Sequence, residues 1–122
     1  MRQRNPGEAR NVILGALSAH YDVKHVVVVD EDVDIHNPID VEWAVATRSQ
    51  ADRDWIVVPA TQGSKLDPSA NKGVSAKAGI DATKPVDCDD FTFKRIRVPG
   101  EEDVNPVAVL NAVVDWRKAL TA

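Results

Sequence analysis

The feature that most constrains this fold is a run of four valines, Val26 to Val29, between His25 and Asp30. β-Branched side chains pack well on a pleated sheet, so the run predicts a β-strand. Successive residues of a strand point to opposite faces, and apolar residues at every position therefore indicate that both faces are buried. A strand covered on both faces is typical of an α/β sheet with helices on either side.

Three amphipathic segments predict the helices of such a structure. Residues 8–20 place apolar side chains at helical spacing on one face. Asn37-Pro38 predicts the start of a second helix, running to about Arg48, because asparagine caps helices and proline suits the first position. Asn105-Pro106 repeats this start, and a terminal helix is predicted over 104–121. The apolar face of that helix consists of Val109, Val113, Trp116 and Leu120.

Further strands are predicted between the second and third helices. Residues 55–59 form another apolar run, which predicts a second strand. Residues 91–98 alternate between apolar and polar side chains, which is typical of an edge strand with one solvent-exposed face. Residues 60–90 are rich in glycine and polar side chains, which predicts a long polar loop interrupted by a short strand around 76–82. The predicted fold class is α/β, with a small mixed sheet of about four strands packed with three helices.

Length and charge bound the class of protein. A chain of 122 residues allows one domain with one core, predicted over 8–122 after a flexible lead at 1–7. A net charge of −4 and scattered basic residues argue against nucleic-acid binding. The longest apolar run is far short of the ~20 residues that cross a bilayer, and Met1 to Pro6 has no apolar stretch behind it. We therefore predict a cytoplasmic protein that binds neither nucleic acid nor membranes.

Ligating side chains crowd the carboxyl end of the valine strand, namely Asp30, Glu31, Asp32, Asp34 and His36. That edge binds ligands in open α/β sheets, and carboxylates at alternate positions suit Mg²⁺ or Mn²⁺. Metal sites draw ligands from several segments, however, and no second cluster is visible in the sequence. We therefore predict no metal here. Asp30, Asp32 and Asp34 form instead a structural motif that caps the next helix and pairs with Arg48 and Arg53.

No complete catalytic set is present in the sequence. A phosphoacceptor receiver domain needs an aspartate after its central strand, whereas the second strand here ends in Pro59-Ala60. Gly63-Ser64-Lys65 lacks the first glycine and the following helix of a phosphate-binding loop. Cys88 is the one cysteine, which excludes a disulfide within the chain, and its aspartate neighbours disfavour a reactive thiolate. We predict no catalytic residue in this chain.

Four motifs follow one another along the chain: Lys24 to Ile35, Asp40 to Arg48, Gly63 to Pro68, and Ala76 to Thr83. In this order they resemble the C-terminal part of UbiD-type decarboxylases, over about residues 8–98. A single motif of this kind is a weak signal, but the co-occurrence of four is specific. The segment after Pro99 corresponds to a variable part of the family, so the resemblance assigns it no role.

The resemblance implies that the reaction chemistry resides elsewhere. A typical member holds prenylated FMN, a divalent metal and a potassium ion in a large flavin-binding region, which also supplies the arginine and glutamates that handle the proton. There the flavin forms an adduct with an unsaturated or aromatic acid, carbon dioxide leaves, and a glutamate protonates the product. By this resemblance the present chain binds none of these groups alone and is inactive when isolated.

The resemblance also implies a role for a few residues of this chain. Ser64 and Leu66 correspond to a loop that closes over the substrate side of the flavin, and Tyr21 aligns with another position of the pocket wall. The partner is a flavin-binding domain or subunit, in a homo- or hetero-oligomer. A separate small subunit and a domain of a longer protein both fit, and the direction of reaction stays open. The alternative is a stand-alone, non-catalytic binding or interaction module with the same fold.

Overall fold

The computed structural model describes residues 1–89, 91–100 and 103–121, and within the last helix it describes side chains only as far as Val113. Its elements in chain order are α1 (Glu8–Ala19), β1 (His25–Val29), α2 (Pro38–Arg48), β2 (Trp55–Gln62), β3 (Val74–Ala82) and α3 (Pro106–Thr121). This arrangement confirms the predicted α/β class with three helices and a mixed sheet. The described residues contain three strands rather than about four.

The sheet is built around β3, which lies between β1 and β2. β3 runs parallel to β1, with His25 opposite Ala78, and antiparallel to β2, with Trp55 opposite Ile80. The central strand thus comes from the segment predicted to be mostly polar loop. Its alanines and its glycine are weak strand formers, which is why the sequence predicts only a short strand there. Pairing on both sides extends it to nine residues.

Helices α1 and α2 cover opposite faces of the sheet. Ile13 and Leu17 of α1 pack with Val28 of β1 in one apolar cluster. Ala44 of α2 packs with Ala82 of β3 in a second cluster on the other face. Because successive strand residues alternate between faces, the small sheet carries two thin cores rather than one thick one.

Gly79 allows α1 to lie close to the central strand. A Cβ atom added to Gly79 would overlap the Cγ2 methyl of Ile13, which is fully buried. Glycine at this position therefore lets the helix approach the backbone of β3 directly. The contact fixes the distance between α1 and the sheet.

The valine strand is buried on both faces only at its carboxyl end. Val28 and Val29 are buried, but Val27 is 39% exposed. The prediction that the whole strand is covered is wrong, because β1 lies at the edge of the sheet and α2 covers only part of that face.

The strand predicted over 91–98 is also wrong. The described residues of this segment form a turn followed by irregular chain. Arg95 binds the Asp40 carboxylate, and its guanidinium lies 5.4 Å from the centre of the Trp43 ring. The segment is therefore held by α2 instead of by a sheet edge. The alternating pattern does not reflect a buried face, since Phe91 and Ile96 are both exposed.

The two ends of the chain make different contacts with the rest of the structure. Residues 1–7, predicted as a flexible lead, run along the carboxyl end of β1, where the amino group of Met1 donates to the Val29 carbonyl at 2.6 Å. At the other end, the Asn105 side chain accepts hydrogen bonds from the first turn of α3, whose described apolar side chains are exposed. The predicted packing of Trp116 and Leu120 concerns side chains beyond those that the structure describes. Among the helices of the described ranges, none is long and apolar enough to cross a membrane.

Candidate functional site

The acidic residues after β1 form an ion-pair network around Arg48, the last residue of α2. The Arg48 guanidinium donates two parallel hydrogen bonds to the Asp32 carboxylate and a third to Asp30, each 2.9 Å long. Lys84, just beyond β3, adds its backbone N–H to Asp30 and its ammonium to Asp32. Because the Arg48 side chain is only 1% exposed, its charge requires these partners. The network ties together the ends of β1, α2 and β3.

The same network changes the titration of Asp32. Its hydrogen bonds from Arg48 outweigh the effect of burial and, with those from Lys84, lower the pKa of Asp32 to about 2. The carboxylate therefore stays ionised at all ordinary pH values. A group held ionised by a fixed cation stabilises structure, and it is a poor candidate for proton transfer.

The rest of the predicted acidic motif serves other local contacts. Asp34 accepts a hydrogen bond from the backbone N–H of His36, and α2 is capped by Asn37 and not by an acid. The predicted pairing with Arg53 is wrong, because Arg53 contacts the neighbouring Asp54. Across residues 1–89, 91–100 and 103–121, no three His, Cys, Asp or Glu side chains are grouped to hold a metal ion.

A cavity of about 550 Å³ opens at the opposite end of the sheet, beside the end of α1, the end of β2 and the start of β3. Its apolar walls include Leu14, Leu17 and Val58, and its polar groups include His20, Tyr21, Gln62 and Lys77. The mixture of an apolar body with a few polar groups is typical of sites for small organic molecules. The lining contains no carboxylate, so its one formal charge is the positive charge of Lys77.

The structure places the three predicted pocket residues differently. Tyr21 lines this cavity and stacks on His20, with ring centres 4.3 Å apart. Ser64 and Leu66 do not line it. They lie on the loop that follows Gln62, and Leu66 is 92% exposed. The loop thus leaves the cavity wall and presents an apolar side chain to solvent.

The loop between β2 and β3, residues 63–73, is held at its base and near its tip. At the base, the N–H of Gly63 donates to the carbonyl of Gly73 at 2.9 Å. Near the tip, the Lys24 ammonium donates to the Asp67 carboxylate at 2.6 Å and to the Ser69 hydroxyl at 2.7 Å. The bond from Lys24, together with those that the Ser69 hydroxyl and N–H donate to the Asp67 carboxylate, lowers the pKa of Asp67 to about 2. Leu66 therefore stands on a tethered loop, although its own side chain touches little.

Lys77 is the charged residue among the cavity residues that the sequence did not single out. It lies within β3 and only 6% of it is exposed, yet its ammonium forms no ion pair within the described part of the chain. The available signal was a lysine between Ala76 and Ala78, at the position that shares a strand face with Gly79. Inside a strand of small residues, an inward-facing lysine is unusual.

Comparison with known proteins gives a consistent result. Residues 1–82 match the model of the 3-octaprenyl-4-hydroxybenzoate carboxy-lyase C-terminal domain. Anhydromevalonate phosphate decarboxylase of Aeropyrum pernix is 49% identical over 100 residues, which cover 82% of this chain and 23% of that protein. The UbiD-class enzyme HmfF from Pelotomaculum thermopropionicum, solved with FMN, superposes with a TM-score of 0.77 at 45% identity. That match covers 88% of this chain and 24% of HmfF.

A further solved relative is vanillic acid decarboxylase of Sedimentibacter hydroxybenzoicus, in its open form with truncated ShVdcD. Its TM-score is 0.69 at 32% identity, and the match covers 94% of this chain and 26% of that one. The fold and these matches define an α/β domain of the kind that this family model describes. The chain belongs to the UbiD family, and it corresponds to the C-terminal domain. It spans about a quarter of the length of the relatives it matches.

Proposed function

We propose that this chain is the C-terminal domain, or a separate small subunit, of a cytoplasmic UbiD-like decarboxylase or carboxylase acting on an unsaturated or aromatic carboxylic acid. The observation that carries the proposal is the family match over residues 1–82, combined with coverage of only about a quarter of each relative. The remaining three quarters of such an enzyme contain the flavin-binding region. The partner of this chain is therefore that region, within one protein or as another subunit of an oligomer.

The cavity beside Tyr21 fits one wall of a flavin enzyme's pocket better than a complete flavin site. A flavin phosphate is doubly charged and is bound by several converging donors, often at a helix N-terminus. This cavity offers one ammonium, that of Lys77, which already donates to two backbone carbonyls. The cavity also lies at the C-terminal end of α1, where the helix dipole is unfavourable for an anion. Prenylated FMN, with its divalent metal and potassium ion, is accordingly held by the partner.

The contribution of this chain is to shape and close the substrate pocket. When bound in the partner, the flavin supplies the electron sink for loss of carbon dioxide. Tyr21 and the apolar wall beside it limit the space open to the substrate and exclude water from it. Leu66 then serves as an apolar anchor, because the loop holds it outward before any partner arrives. A loop tethered in advance loses less conformational entropy on closure than a free loop does.

The role of Leu66 is tested by Leu66→Ala in the enzyme assembled with its flavin-binding region. We expect unchanged folding and a several-fold change in KM or in the ratio of kcat/KM between two acids of different size. The matched control is Ile96→Ala. Ile96 is aliphatic and 94% exposed, as Leu66 nearly is, but it lies in a segment that contacts α2. An identical substrate profile for Leu66→Ala and Ile96→Ala would remove Leu66 from the pocket.

The alternative of a stand-alone binding module predicts a different outcome. Such a module neither forms a complex with a flavin-binding partner nor changes its turnover. The relevant measurement is analytical ultracentrifugation of the chain with that partner, at micromolar concentrations of both. A single heavier species supports the decarboxylase component, and two independent species support the module.

A further inference from the structure

Lys77 is a buried cation that the predicted chemistry does not use. It lies on the central strand, with 6% of its surface exposed, and within the described residues it forms no ion pair with a carboxylate. Removing an ammonium from water is costly unless the protein replaces the lost hydrogen bonds. The hydrogen bonds of the buried Lys77 ammonium must therefore replace those it loses to water.

The Lys77 ammonium is hydrogen-bonded to the end of α1. The Lys77 ammonium donates to the carbonyl of Leu17 at 2.8 Å and to that of His20 at 3.0 Å. The Leu17 carbonyl belongs to the last turn of α1, where the helix leaves acceptors unsatisfied and the dipole is negative. His20 is the residue that ends the helix, and its carbonyl also accepts a hydrogen bond from the Val23 N–H at 3.2 Å. α1 has no basic residue in its own last turn, and it ends at His20 in an extended conformation. Lys77 therefore caps the helix from the neighbouring strand.

The cap fixes the residue that follows. Tyr21 comes directly after His20, and the two rings stack with an interplanar angle of 29°. Holding the His20 carbonyl therefore limits where the Tyr21 ring can lie. On the other side, Lys77 pairs with Val58 of β2, just before the strand is interrupted at Ala60, which has a φ of 55°. Lys77 thus joins two elements of the cavity wall, contacting the end of α1 through its side chain and β2 through its place in the strand pairing.

We propose that Lys77 is a positioning residue, which sets the Tyr21 ring in the cavity wall by holding the end of α1 against β3. The inference rests on the proposed function where it concerns catalysis. Where it concerns the placement of Tyr21, it holds for the isolated chain. Lys77 itself touches neither substrate nor flavin in this account.

The chain offers a direct spectroscopic test, because Tyr21 is its only tyrosine. Incorporation of 3-fluorotyrosine into the full chain gives one ¹⁹F resonance that reports the surroundings of that ring. In Lys77→Met, which keeps the apolar stem and removes the ammonium, we expect this resonance to move toward the position of the unfolded chain. Circular dichroism should remain native. Lys94→Met is the control, since Lys94 is remote from the cavity, and its ¹⁹F resonance should match the wild type.

A second variant keeps the test valid if Lys77→Met does not fold. Lys77→Arg retains the charge but places a wide planar head where a compact ammonium meets two carbonyls. We expect it to fold and to shift the resonance in the same direction by a smaller amount. A folded Lys77→Met or Lys77→Arg whose ¹⁹F resonance equals the wild type overturns the inference.

The assembled enzyme separates positioning from general stabilisation. We expect Lys77→Met to lower kcat/KM by about tenfold to a hundredfold, as small misplacements in a pocket do. The same change should have little further effect in a Tyr21→Ala background, because its effect acts through Tyr21. Equal losses in both backgrounds would show a role unrelated to Tyr21. If Lys77→Met shifts the ¹⁹F resonance but the Tyr21→Ala enzyme is fully active, Tyr21 has no role in the pocket. The placement of Tyr21 by Lys77 would still stand.

Discussion

The guanidinium of Arg48 illustrates how single residues hold this fold together. It is removed from water and meets two carboxylates, and of its nitrogen atoms the buried Nε has no hydrogen-bond partner among the described residues. The ring of Trp43 lies 5.1 Å from its central carbon, adding a cation–π contact. The sequence identified Asp30 and Asp32 and offered Arg48 or Arg53 as their cation. Only the structure separates Arg48 from Arg53 and adds Lys84 to the network.

Replacing Arg48 should therefore be costly. In Arg48→Met the Asp30 carboxylate remains buried without its cation, and we expect a loss of about 3–5 kcal/mol in the free energy of unfolding. Urea denaturation followed by tryptophan fluorescence measures the loss. The control is Arg53→Met, which removes an exposed ion pair worth about 0–1 kcal/mol. Equal midpoints for the two variants would contradict the structural importance of the network.

Asp32 gives the network a defined pH dependence. Its pKa is lowered from 3.8 to about 2, so the folded protein binds this proton less readily than the unfolded chain does. The stabilisation is therefore complete above about pH 4 and is lost as pH falls through about 2. We expect Asp32→Asn to destabilise the protein at neutral pH and to flatten the acid part of its stability curve. A difference in unfolding free energy between wild type and Asp32→Asn that is the same at pH 2 and at pH 6 would contradict this pH dependence.

At the scale of elements, the close contact between α1 and β3 is the most specific feature. It depends on Gly79, which leaves room for the buried Ile13 side chain. The sequence predicts α1 and β1 well, because helical spacing and a β-branched run are strong local signals. It also predicts most of β3, as a short strand over 76–82, but not its place at the centre of the sheet, because the partners of this strand lie elsewhere in the chain.

Gly79→Ala tests that contact. The added methyl overlaps the Ile13 side chain, so α1 must shift, and we expect a loss of about 1–3 kcal/mol in unfolding free energy. Gly15→Ala is the matched control. It lies in the interior of α1 with open space around it, and the same substitution there should stabilise the helix by about 0.5–1 kcal/mol. Thermal unfolding of the two variants should thus move in opposite directions, and a shift of the same sign would refute the close packing at Gly79.

At the scale of the whole molecule, the two ends of the sheet carry different kinds of side chain. The carboxyl end of β1 carries the acidic network, and the other end carries the cavity with Tyr21. Sequence reasoning drew attention to the first end, because acids after a strand often mark a ligand site in α/β sheets. The cavity could not be located in this way, since its walls come from α1, β2 and β3, which are distant along the chain. The resemblance to the UbiD family pointed to Tyr21, and the structure places Lys77 in the same cavity wall.

The central claim is that this chain completes a carboxy-lyase whose flavin is held by another region. It is tested most directly by measuring carbon dioxide release from an unsaturated or aromatic acid by the separately produced, flavin-loaded partner region, with and without this chain. We expect turnover to require both components and to saturate as the chain is added. Turnover by the partner region that is the same at every concentration of this chain would contradict the account.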